Sequence, residues 1–170
     1  MIQARPFQDD MLNEARAKLR ALIRRILFQA PTGSGKTILA AIMLGNSASK
    51  GLRSWFVVHR KELLRQSSSR FRDTGVPHSF IASNEYYDKR AMVHICGVAT
   101  LVRRLDRVEK PDIIIWDECH HAAATSWSKI MAQYPDTIHI GLSATPERLD
   151  GKGLDKYFDY IIKGPTVEWL

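Results

Sequence analysis

Apolar positions along the chain fall into two recurring patterns. Phe7, Met11, Leu12, Ala15, Leu19 and Leu22 repeat at three- and four-residue spacing, which predicts an amphipathic helix over 7–22 with Pro6 at its first position. Short apolar runs then recur at 26–28, 55–58, 79–82, 92–96, 113–116 and 137–142. Continuous rather than alternating apolar content marks strands covered on both faces, as in a parallel sheet. Between them the spacing predicts helices over 38–44, 61–71, 101–105 and 126–134, the third capped by the Thr100 hydroxyl. Strands alternating with helices over the whole length predict an α/β fold, a mostly parallel sheet with right-handed crossovers and helices on both faces.

Composition narrows the class. With 170 residues and 45% hydrophobic content the chain suits one domain with a well-buried core, and leaves no room for a second. No apolar run approaches the ~20 residues that span a bilayer, and the N-terminus lacks a secretory h-region, so the expected location is cytoplasmic, with no membrane partner. Cys96 and Cys119 lie in separate apolar stretches without CxxC spacing and read as reduced core thiols. Adjacent His120 and His121 point apart and cannot readily share a tetrahedral ion, so zinc is not expected. His59, His78, His94 and His139 read as structural. The net charge of +7 is uneven: residues 1–110 carry 20 Lys/Arg against 9 Asp/Glu, and the remainder 5 against 9. The basic part suits a polyanion, although such charges also line ordinary solvated helix faces.

Two stretches carry chemistry. Ala30-Pro31-Thr32-Gly33-Ser34-Gly35-Lys36-Thr37 lies between an apolar run and a helix, the layout of a phosphate-binding loop. Gly33 and Gly35 let successive N–H groups curl toward phosphate oxygens, and the following helix adds its positive dipole end. Lys36 would reach the β- and γ-phosphates of ATP, and Thr37 would offer its hydroxyl to Mg²⁺. The usual pattern opens on glycine; Ala30 is tolerable because that residue ends the strand while the tight curl falls on 32–35. The second stretch, Asp117-Glu118, ends the most apolar strand, at the carboxyl edge where α/β sheets bind ligands. A carboxylate there is costly unless balanced, and Mg²⁺ would balance it. Asp117 is thus the candidate metal holder and Glu118 the candidate for orienting or deprotonating the attacking water.

Together with Asp117-Glu118-Cys119-His120 and Ser143-Ala144-Thr145, the loop resembles the first RecA-like domain of superfamily 2 helicases and translocases, in the DEAH/DExH branch, over nearly the whole chain. The resemblance implies a RecA-like P-loop NTPase domain over 1–162, with 163–170 starting the linker to a second RecA-like domain. It implies that Arg5-Pro6-Phe7-Gln8 serves as an adenine motif, Gln8 reading the base edge and Arg5 or Phe7 holding the nucleotide. His120 would couple the ATP site to Ser143 and Thr145, residues that could otherwise form only a helix cap. The segment 57–63 resembles a motif whose loop touches a nucleic-acid backbone, with Arg60 the best phosphate contact, and 97–101 more weakly resembles another, with Thr100. The Asp-Glu-Cys-His form looks more like the DNA-directed group than the RNA-directed one. Without the second domain and its arginines, the chain is expected to bind ATP·Mg²⁺ weakly, hydrolyse it poorly and not unwind duplexes. Two other readings stay open: a P-loop phosphotransferase acting on a small molecule, for which no arginine-rich lid is visible, and a non-catalytic nucleotide switch or docking module.

Overall fold

The structure, a computed structural model, describes residues 3–119, 124–144 and 157–166. Its elements run α1 (Pro6–Arg20), β1 (Arg25–Gln29), α2 (Lys36–Ser49), β2 (Ser54–Val58), α3 (Lys61–Asp73), β3 (Ser79–Ile81), β4 (Val93–Gly97), α4 (Val98–Leu101), β5 (Ile113–Trp116), α5 (Ala124–Gln133), β6 (Ile138–Ser143) and β7 (Tyr160–Lys163). The seven strands form one sheet in the order β3-β4-β2-β5-β6-β1-β7, and every pairing is parallel. The unbroken apolar strands are buried on both faces, as a parallel sheet requires. Ile26, Phe28, Phe56, Val58, Ile115 and Leu142 point to the face packed with residues of α1, α2 and α3. Leu27, Trp55, Val57, Ile114 and Trp116 point to the other, where residues of α4 and α5 cover them. Both cysteines are buried, and no disulfide joins them.

Local chemistry moves three predicted boundaries. Helix α1 stops at Arg20 rather than Leu22, because the Ile23 N–H bonds back to the Lys18 carbonyl (3.0 Å) and Leu22 takes the left-handed position usually given to glycine, at φ 66°. Helix α4 begins at Val98, directly after β4, with Gly97 at its N-cap; Thr100 therefore lies inside the helix and caps nothing. A seventh strand crosses the expected domain end at 162: β7 pairs with β1 from Tyr160 to Lys163, so Lys163, expected to start the linker, lies in the sheet opposite Gln29. Residues 167–170 lie outside the described part.

A buried histidine ties the second face together. His139 is fully buried; its Nδ1 accepts the Trp116 indole N–H (3.2 Å), so its Nε2 carries the proton donated to the Tyr134 carbonyl (3.0 Å). Burial, against the carbonyl's opposing pull and with help from Arg25, depresses its pKa from 6.5 to about 4. The unfolded chain therefore binds a proton that the folded chain refuses. The stability His139 contributes is full above pH 6.5 and is lost as pH falls toward 4. About 2–3 kcal/mol is expected to disappear over that window through this group. Urea unfolding across the range should show the loss, and His139→Gln should flatten it; an unchanged slope in the variant would contradict the assignment. His78, between Ser68 Oγ (2.7 Å) and the Val76 carbonyl (2.8 Å), and His94, against the Asp88 carbonyl (2.8 Å), are likewise structural.

Candidate active site

The phosphate loop takes its shape from two glycines. Gly33 and Gly35 have φ of 82° and 84°, conformations that cost side-chain-bearing residues strain. The Ser34 N–H closes a turn on the Pro31 carbonyl (3.1 Å), and Gly35 forms the N-cap of α2. Ala30 still donates to the Ser143 carbonyl (3.0 Å), so it extends the strand pairing and needs no glycine freedom. Lys36 Nζ folds back onto the carbonyls of Ala30 (2.9 Å) and Pro31 (3.3 Å), which pins it over the curl. Ser34 is buried and its Oγ has no hydrogen-bond partner among the described residues.

The N-terminus braces this loop. Gln8 is only 3% exposed; its Oε1 accepts the Arg5 N–H (2.9 Å) and its Nε2 donates to the carbonyls of Ser34 and Gly35, both at 3.3 Å. Its amide, expected to face an adenine edge, is here engaged with the loop on one side and the start of α1 on the other. A Cβ on Gly35 would fall 2.8 Å from that Nε2, so a side chain there would displace the Gln8 amide in addition to straining the backbone at its positive φ. Phe7 packs on the core and lines a separate groove beside Lys163, Gly164 and Pro165. Of the two residues paired as nucleotide holders, Arg5 alone lines the phosphate cleft.

That cleft, about 490 Å³, brings Thr32, Gly33, Lys36 and Thr37 together with Asp117 and Glu118. The convergence follows from topology: β1 and β5 flank β6 in a parallel sheet, so the loops after them open on the same edge. The Asp117 N–H bonds the Val57 carbonyl (2.9 Å), and Glu118 adopts φ 47°, an unusual conformation for a residue other than glycine. Burial first, then the Glu118 charge, raises the Asp117 carboxyl from 3.8 to about 6, while the Glu118 N–H and Lys36 pull it down. Burial likewise lowers the Lys36 ammonium, and Glu118 and Asp117 pull it back up. The cleft thus holds a desolvated acid and a desolvated base that lean on one another. The donors Thr37 hydroxyl and Asp117 carboxylate are hard oxygens of the kind Mg²⁺ takes, and a buried carboxylate is relieved by a cation, so these residues fit the metal. When bound, Mg²⁺ neutralises and orients the phosphate oxygens; Thr37 and Asp117 would hold it.

Other sequence candidates are scattered. Ser143 is fully buried and is the last residue of β6, paired with Gln29, so it belongs to a strand and not to a helix cap. His120 and Thr145 lie outside the described residues. Arg60 is exposed at the N-cap of α3, just past the end of β2 and so on the same sheet edge as the cleft. Thr100 is 6% exposed, which leaves it little surface to offer a strand. Sequence reasoning overlooked Gln66 and Arg70, which line the cleft from α3. Their helical spacing, three and seven residues on from Leu63, was the available signal.

An all-parallel sheet with a glycine-curled phosphate loop and an acidic pair meeting at its carboxyl edge defines a RecA-like domain of the superfamily 2 helicase class. More narrowly, the chain belongs to the ResIII family, described as the type III restriction enzyme res subunit, which it matches over residues 1–148. A 51.5 kDa protein of a Lactococcus phage is 38% identical over 144 residues, 85% of this chain and 29% of that protein. The crystal structure of the UvsW helicase from bacteriophage T4 superposes with a TM-score of 0.78 at 21% identity, over 95% of this chain and 60% of the other. A nuclease-deletion mutant of the type ISP restriction-modification enzyme LlaGI, solved in complex with a DNA substrate mimic, gives 0.75 at 14% identity, over 95% of this chain and 20% of the other. The chain therefore spans under a third of the phage relative and three-fifths of the UvsW chain.

Proposed function

We propose that the chain is the nucleotide-binding half of an ATP-driven nucleic-acid motor, a helicase or translocase. The observation that carries this reading is the single cleft shared by Lys36, Thr37, Asp117 and Glu118. In it the phosphate loop and Lys36 grip the triphosphate, Thr37 and Asp117 hold Mg²⁺, and Glu118 orients or deprotonates the attacking water. Arg60, exposed on the same edge, contacts the phosphate backbone of a strand crossing the top of the sheet. DNA is favoured, in keeping with the family and with the DNA mimic bound by the LlaGI relative. Arginines supplied by a second RecA-like domain complete the site, and hydrolysis is slow until they engage.

The test has two arms. Titration with a fluorescent ATP analogue should show saturable binding that weakens when Mg²⁺ is chelated; absence of binding at millimolar nucleotide would remove the basis of the proposal. Single-stranded DNA should bind with an affinity that falls as salt rises, because phosphate contacts release counterions, and Arg60→Ala should lower the salt slope by about one unit. A slope unchanged by the substitution would take Arg60 off the strand's path, and tighter binding of RNA of the same sequence would reverse the stated preference.

A further inference from the structure

We infer that Arg70, on α3, is a further phosphate-binding residue of the cleft, directed at the terminal phosphate of a bound nucleoside triphosphate. This rests on the ATP-site reading above and adds a residue that neither the phosphate loop nor the acidic pair supplies. On the first face of the sheet the contacts run in one direction: α1 meets β7 at one edge, α2 meets β2 and α3, and α3 lies over β2 and β4 toward the other edge. A nucleotide seated on the N-terminus of α2 thus has a wall on each side. Arg5, just before α1, lines the one wall and Arg70 the other. The acidic pair follows β5, which sits next to β2, so the metal end of the nucleotide lies toward the α3 wall.

Arg70 reaches the cleft from the third turn of α3 because a long helical side chain leans back toward its helix's N-terminus, here toward the carboxyl edge of the sheet. Leu63, Gln66 and Arg70, at i, i+3 and i+7, form the stripe of α3 that lines the cleft. The rest of the helix accounts for its packing: Leu64, Ser67, Ser68 and Phe71 are its buried residues. Arg70 is exposed, and no ion pair engages it among the described residues. Its guanidinium is therefore available to a ligand. Charge in the cleft supports the same conclusion. Arg5, Lys36 and Arg70 face Asp117 and Glu118, and magnesium triphosphate adds about two further negative charges, which Lys36 alone does not offset.

Equilibrium binding of magnesium complexes of a non-hydrolysable ATP analogue and of ADP to the intact chain tests this. Arg70→Ala is expected to weaken the triphosphate about 10-fold and the diphosphate less than about 2-fold, and Arg70→Lys, which keeps the charge but loses the fork, to fall between. Equal loss for both nucleotides, or no loss for either, would overturn the role of Arg70 while leaving the ATP site standing. Failure of the unmodified chain to bind either nucleotide would overturn both. Thermal melting of the variants, expected to match the parent because the side chain is exposed, separates these results from misfolding.

Discussion

Lys36→Ala is expected to abolish measurable nucleotide binding, weakening it by at least about 100-fold. Lys36 is held in place before any ligand arrives, by the carbonyls of Ala30 and Pro31, so its ammonium is presented to the phosphates at little ordering cost. Its removal also changes what remains. Asp117 and Glu118 would then face an incoming polyanion without their neighbouring cation, and a carboxylate already raised to about 6 by burial would lose part of what keeps it ionised. Attraction is lost and repulsion is exposed in one substitution. Fluorescent-nucleotide titration, with circular dichroism to confirm that the fold survives, measures the effect. Affinity retained within about 3-fold would mean that the backbone N–H groups alone carry the phosphates, and the ATP-site assignment would fail.

Which parts of this site were legible in the sequence depended on whether a residue's role is local. The curl of Thr32 to Gly35 is set by two glycines, and the structure gives both positive φ. The burial of Ile113–Trp116 follows from an unbroken apolar run, and with it the placing of Asp117 at a strand end. Even the alanine that opens the loop could be read, since a residue that continues strand pairing has no need of left-handed φ.

Roles that depend on distant partners were less visible. Nothing local to Gln8 says that its amide is spent on Ser34 and Gly35, which are remote in sequence and meet it only once α1 packs beside α2. Nothing local to Arg70 and Gln66 sets them apart from other polar helix residues; only the placement of α3 next to α2 turns their side into a cleft wall. Thr100 has the chemistry of a cap, but β4 runs through Gly97 and the helix starts at once, so the glycine takes the cap position. The four residues of β7 carry too little periodicity to announce a strand, and their pairing with β1 is a long-range event.

Glu118→Gln separates binding from chemistry where Lys36→Ala removes both. The substitution keeps the size and the hydrogen-bonding capacity of the side chain and removes its charge and basicity. Because the proposed grip on the phosphates and metal belongs to Lys36, Thr37 and Asp117, magnesium-dependent affinity is expected to stay within about 3-fold; loss of one negative charge beside the triphosphate tends to improve it. Hydrolysis is expected to fall by about 100- to 10,000-fold, the usual range for a positioned general base. Slow turnover is no obstacle, since single-turnover conditions with all nucleotide protein-bound reveal the chemical step without multiple cycles. The unusual backbone of Glu118, at φ 47°, supports a positional role, because strain of this kind persists where the surrounding structure fixes a side chain's direction. If Glu118→Gln instead lost nucleotide as Lys36→Ala does, with hydrolysis of the bound fraction unchanged, Glu118 would be a binding group and the base would have to be sought elsewhere on the same sheet edge.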